Sequence, residues 1–224
     1  VSGTTPASLS GSSDICTLAH KDSNFFLLVD IKGFYPSTTK SKIKKQLIMT
    51  YQQSSNVAEF ISNAVTVPQK KANDNRALVT GSVLSQYFAY VINKKMFDEL
   101  YELSKLNDVI FTVYVDDISF SSKKVLTYKF HQQVYNIIKK YGYNIHNGKV
   151  YRGKINNKSK ITGIQITKYG FRLLTKHKNK IKELKNKIDI KSKRSLLGML
   201  NYAIQVNPKY RRYKKLFKNY KDFN

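Results

Sequence analysis

The chain has 224 residues, enough for one large domain or one domain plus a small one. Apolar residues make up 41% and aromatic residues 12%, richer than a disordered polybasic tail, while 40 Lys and Arg against 14 Asp and Glu give a formal charge of +26. That excess implies a polyanionic partner, nucleic acid first, and a single cysteine, Cys16, excludes a disulfide framework or a cysteine-based zinc site.

Residues 1–24 are rich in Ser, Thr and Gly and read as loop, with one short helix near Asp14 to His20. Phe25 to Ile31 read as a strand buried on both faces, with Asp30 at its end. Pro36-Ser37-Thr38 breaks it, and Ser37 or Thr38 is placed to cap a helix over 40–53. Residues 54–80 read as polar and irregular, with a short helix over 57–65. Gly81 opens a helical stretch to about Leu103, whose apolar positions Leu84, Phe88, Val91, Ile92, Met96 and Leu100 fall at threes and fours. Two β-rich arms at 109–115 and 118–122 flank Asp116-Asp117 as a hairpin. A helix over 124–141 ends at Gly142. Residues 143–175 read as short strands and a hairpin. The last fifty residues are basic helices punctuated by Gly198 and Pro208.

Three carboxylates are out of place unless they share a task. Asp30 closes an all-apolar run, where an unpartnered charge is costly. Asp116 and Asp117 crowd one tight turn. Together they suit hard divalent cations, because Mg²⁺ takes oxygen ligands and two such ions can clamp an in-line phosphoryl displacement. Each feature alone is ordinary: a strand-end cap, an acidic turn. The four histidines, His20, His131, His146 and His177, are scattered and form no zinc pattern; His20 reads as structural. No G-x-x-x-x-G-K-[ST] loop occurs.

At these residues the sequence resembles the reverse transcriptases, above all the retron-type and abortive-infection or defence-associated bacterial enzymes. Y-V-D-D at 114–117 resembles their motif C, and D-I-K-G-F-Y-P-S at 30–37 their motif A. T-G-S-V-L-S-Q at 80–86 is similar to a variant motif B, G-Y-N-I-H-N-G-K at 142–149 to motif D, T-G-I-Q-I at 162–166 to motif E, and L-L-G-M-L-N-Y-A-I-Q-V-N-P at 196–208 to the thumb segment. The matches run in family order over roughly residues 15–210. The resemblance implies an α+β fold: an antiparallel palm sheet with helices on one face over 25–170, then a small helical, basic thumb over 171–224. Residues 1–24 would be loop, a remnant of the fingers. It implies an RNA-directed DNA polymerase that adds deoxynucleotides to a primer by two-metal chemistry.

The implied roles are these. Asp30, the Ile31 backbone, Asp116 and Asp117 would hold two Mg²⁺, with Mn²⁺ able to substitute. Lys149 would approach the leaving pyrophosphate; otherwise it is one more solvated lysine. Tyr35, with Phe34 beside it, would sit under the sugar and reject a 2′-hydroxyl; otherwise it is a core aromatic. Gly81 and Ser82 would let backbone approach the templating pair; otherwise they mark a helix start capped by Thr80. Lys154, Lys158, Lys160, Arg211, Arg212, Lys214 and Lys215 would contact phosphates, with aromatics stacking alongside; otherwise they are a solvated face. Expected partners are an RNA template and a DNA primer or product, with room for a non-coding RNA.

Two departures from the pattern matter. Val79-Thr80-Gly81 replaces the common P-Q-G, which is similar to the looser motif B of defence-associated enzymes. The fingers motifs would precede residue 1, and only Lys21 is basic before Asp30, so a second chain supplying fingers is an expected partner and inactivity of the isolated chain stays open. A non-catalytic nucleic-acid-binding module on a polymerase-like palm is the alternative; an RNA polymerase of the same architecture is disfavoured by Tyr35. The setting expected is the cytoplasm, without a membrane, since the longest apolar run, Phe25 to Val29, is far too short to span one.

Overall fold

The computed structural model describes residues 13–70, 75–156, 159–187 and 189–215. Helix α1 (Ser13–Ala19) leads into strand β1 (Phe25–Asp30). β1 is interior to a four-stranded antiparallel sheet of order β4-β5-β1-β6, formed with β4 (Ile110–Tyr114), β5 (Asp117–Ser122) and β6 (Tyr151–Lys154). An interior strand covered on both faces needs apolar residues at every position, which is why Phe25 to Val29 do not alternate. Leu27 and Val29 face the main core, together with Phe111, Val113, Ile118 and Phe120. Phe26 faces the other side and meets Cys16, Ile161 and Ile166.

Helices cover the Leu27 face: α3 (Lys40–Met49), α5 (Val83–Ile92), α6 (Lys94–Leu106) and α7 (Tyr128–Lys140) contribute Ile43, Leu47, Ile92, Met96, Leu100, Phe130, Val134 and Ile138 to its core. The Phe26 face carries α1 and a small antiparallel sheet of β7 (Lys160–Ile161), β8 (Ile164–Thr167) and β9 (Gly170–Leu173). Helices α8 (Thr175–Lys185) and α9 (Ile190–Val206) follow, and Ala203 and Val206 of α9 pack on Ile164 and Leu173. A 3₁₀ turn at Pro208–Tyr210 leads to the short α10 (Arg211–Lys215). A boundary drawn between 170 and 171 falls within β9, whose pairing with β8 straddles it.

Several elements depart from the sequence reading. A four-residue helix α2 (Phe34–Ser37) fills the region read as a break. The cap of α3 is Thr39, whose hydroxyl accepts from the Lys42 amide, not Ser37 or Thr38; the helix stops at Met49, short of 53. After α4 (Ser55–Val65), strands β2 (Thr66–Pro68) and β3 (Arg76–Leu78) form a hairpin in the stretch read as irregular. The single helix expected over 81–103 is two, broken at Asn93. Leu84, read as core, is exposed. Gly198, read as punctuation, lies inside α9, with open space around the position of an added Cβ. The stop after α7 is as expected: Gly142 sits at φ 74°, and the amides of Gly142 and Tyr143 bond back to Lys139 and Ile138, closing a Schellman motif.

The polar residues on the Phe26 face are satisfied internally. His20 is fully buried and bonds Ser121 Oγ at 2.6 Å and Thr112 Oγ1 at 2.8 Å. Burial pushes its imidazole down to about 3. The neutral ring is therefore favoured by folding, and that stabilisation is complete above the unfolded value near 6.5 and is lost as pH falls toward 3. Urea unfolding should show a loss of about 2 kcal/mol from this site between pH 6.5 and pH 5, absent in His20→Gln. Equal losses in both proteins would show that the ring accepts a proton without cost.

Candidate active site

Strand periodicity decides which carboxylates meet. On β5 the core-facing positions are Ile118 and Phe120, so Asp117, Ser119 and Ser121 share the opposite face. On β1 the same alternation sends Asp30 to that face. The register then sets Asp30 directly across from Asp117. Tyr114 pairs with Asp117, leaving Val115 and Asp116 as a two-residue turn. Val115 holds φ at 58°, a left-handed conformation that a β-branched side chain resists by roughly 1–3 kcal/mol. The carbonyl of Asp116 accepts from the Ile31 amide at 3.1 Å, which fixes the turn against the end of β1.

The segment after Gly142 closes the site from the other side of β1. Lys32 donates to the Asn144 carbonyl and the His146 amide to the Asp30 carbonyl, both at 2.8 Å. A 3₁₀ turn, Asn147–Lys149, then carries the Lys149 ammonium onto both Asp30 carboxylate oxygens, at 3.0 and 2.8 Å. The pair is lopsided in exposure: the Asp30 side chain is 14% exposed and that of Lys149 58%. Its contribution to folding is accordingly small.

Asp30, Asp116 and Asp117 act on one another through their charges. Burial, and then the Asp30 carboxylate, push Asp116 up. Asp117 is pushed up to about 6 by burial, then by Asp116 and Asp30, against the pull of Lys149. Asp117 itself is exposed. The bond to Asp30 raises Lys149. Tyr35, on α2, is raised by burial and then by Asp116 and Tyr114.

Among the described residues, no three His, Cys, Asp or Glu side chains stand ready-made around an ion; the cation on Asp30 is the Lys149 ammonium. The donor chemistry nevertheless fits Mg²⁺. The set is carboxylate oxygen, and it carries a like-charge excess that a divalent ion would relieve.

Not every expected site residue is brought to the acids. Phe34 is in the core, with its ring 5.4 Å from Tyr143 and 6.4 Å from Phe97. The Ile31 side chain is likewise in the core, leaving only its backbone to the site. Gly81 has φ 96°, with nothing within 4 Å of an added Cβ. The cap position of α5 is Ser82 rather than Thr80, and its side chain makes no capping bond. The Thr38 carbonyl accepts from the Leu78 amide at 3.2 Å, tying the strand that leads to Gly81 to the end of α2.

Lys154, Lys160, Arg211 and Arg212 are exposed. The Arg212 guanidinium lies 5.0 Å from the Tyr213 ring, and Tyr210 and Tyr213 lie 5.8 Å apart, a cationic and aromatic surface of the type that suits phosphate and base together. Lys158 lies outside the described residues, as do the side chains of Lys214 and Lys215. No sequence signal marks Val115 or Asn93, and Tyr143 stands out only as the aromatic after Gly142.

The fold is the α+β palm and thumb fold of reverse transcriptases. Over 86% of the chain, the structure is similar to a foamy viral protease-reverse transcriptase in complex with an RNA/DNA hybrid, with a TM-score of 0.55 at 20% identity. Over 97% of the chain, it is similar to telomerase from Candida albicans in complex with a fragment of telomeric RNA, with a TM-score of 0.51 at 13% identity. The chain spans 23% and 46% of those two proteins. No protein-family model and no curated protein matches the sequence. Among the described residues, no helix is long and apolar enough to cross a membrane.

Proposed function

We propose that this chain is the palm and part of the thumb of an RNA-directed DNA polymerase of the bacterial retron or anti-phage defence type, which extends a primer with deoxynucleotides. The observation that carries the reading is the β1–β5 register, which sets Asp30 against Asp117 and the Asp116 turn, with Lys149 closing on the same carboxylate. Asp30, the Ile31 backbone, Asp116 and Asp117 would hold two Mg²⁺. Bound there, the ions would supply charge neutralisation for the attacking and leaving oxygens. The residues of the chain do the rest. Lys149 is positioned to meet negative charge arriving beside Asp30 and to stabilise or protonate a pyrophosphate. Tyr35 blocks a 2′-hydroxyl on the incoming sugar. Gly81 and Ser82 offer open backbone to the templating pair, and Arg211, Arg212, Lys154, Lys158, Lys160, Lys214 and Lys215 take phosphates. A second chain or segment completes the fingers.

The test is incorporation on a primed RNA template by the full-length protein containing this chain. The expected result is Mg²⁺-dependent addition with deoxynucleotides preferred, and a preference narrowed on the order of tenfold in Tyr35→Ala. Tight template binding without incorporation under Mg²⁺ or Mn²⁺ would instead favour a non-catalytic binding module. The specific support for that second reading is the Lys149 ammonium already seated on Asp30.

Binding itself has a quantitative signature. If about six phosphates are neutralised, log K should fall against log salt with a slope of roughly −4 to −5. A slope near zero in a salt titration would remove nucleic acid as the partner.

A further inference from the structure

A buried polar chain lies behind the site and is not used by the chemistry above. Thr38 Oγ1 donates to the Phe34 carbonyl at 2.9 Å and is 2.9 Å from the Tyr143 hydroxyl. Thr38 has one hydroxyl hydrogen, and the carbonyl has taken it. Tyr143 must therefore donate to Thr38. Its only hydrogen is then spent on Thr38. Every hydrogen is used once and the direction is fixed.

We infer that Tyr143 is a positioning residue that couples Tyr35 to the segment bearing Lys149, through a one-way relay from Tyr143 to Thr38 to the Phe34 carbonyl. The roles of Tyr35 and Lys149 rest on the proposed function; the relay does not. α2 has four residues, far too few to hold itself helical, and depends on outside tethers. Thr38 supplies them. Its amide bonds Phe34 and Tyr35, its carbonyl receives Leu78, and its hydroxyl is locked by Tyr143. Tyr143 is itself immobile: it is 1% exposed, its ring lies against Phe34, and the Lys42 ammonium stands 3.8 Å from the ring centroid while bonding the Gly142 carbonyl. One residue on, Asn144 bonds Lys32, and the strap continues through His146 to Lys149. A shift of the Tyr143 ring is therefore felt on α2 and on the Lys149 turn together.

Two variants test this in the full-length protein. Tyr143→Phe keeps the ring and removes the hydroxyl; Thr38→Val keeps the shape and removes the acceptor. Amide hydrogen exchange should quicken about 5- to 30-fold over 34–39 and over 144–150 in each, with β4 and β5 unchanged. The preference for deoxynucleotides should fall by a similar factor, and the double variant should go no further than the worse single one. Unchanged exchange, a change confined to one of the two segments, or a uniform rise that includes β4 and β5 would overturn the coupling. If the wild-type protein incorporates nothing, the polymerase reading falls, and the exchange arm alone still decides the relay.

Discussion

Replacing Asp30 and Asp116 together with asparagine is expected to lower Mg²⁺-dependent incorporation at least a thousandfold while leaving nucleic-acid affinity and its salt slope intact. Asparagine keeps the shape and removes the charge, so the lost quantity is the site's ability to hold cations. The fold should tolerate the change. Asp116 and Asp117 are raised by burial and by their neighbours' charge, so removing two of three crowded acids relieves repulsion in the free protein. The Asp30–Lys149 pair is lost, but the Lys149 side chain left behind is 58% exposed, so the loss costs little. Thermal melting should therefore hold steady or rise as activity disappears. A fall in melting temperature matching the fall in activity would assign the acids a structural part instead. Incorporation kinetics and differential scanning fluorimetry on the same preparations separate these outcomes.

Lys149→Met should lower kcat about a hundredfold with little change in template affinity. The ammonium is the one cation seated on Asp30 among the described residues, and it arrives there on a 3₁₀ turn bonded to the end of β1, which argues for placement rather than chance among forty basic residues. Lys149→Arg should fall between wild type and Met, because guanidinium keeps the charge and gives up no proton. Single-turnover measurements with saturating nucleotide would read this. If Met and wild type run at equal rates, Lys149 is a solvated lysine that happens to cap an aspartate.

What could be read from the chain and what could not divide along physical lines. β1 declared itself because an interior strand covered on both faces must be apolar throughout. The Asp116 hairpin did so because Phe111, Val113, Ile118 and Phe120 alternate with polar neighbours. The Asp30–Asp117 pairing was expected from a resemblance, and the register supplies the reason for it. The break at Asn93 was hidden because Phe88, Ile92, Met96 and Leu100 keep helical spacing across it. The β2–β3 hairpin has three-residue strands, too short for any alternation to show. Phe34 was placed at the nucleotide through its neighbour, yet adjacent residues on a helix point in different directions, and it turned inward. The Tyr143 relay is tertiary, since it does not exist until distant segments meet.

Anomalous diffraction from crystals of the full-length protein soaked in Mn²⁺ reports whether the acidic cluster binds divalent cations. Manganese density among Asp30, Asp116 and Asp117, with Lys149 moved off the Asp30 carboxylate, is the expected result. Crystals that diffract well, with Lys149 still on Asp30 and no manganese at the turn, would contradict it.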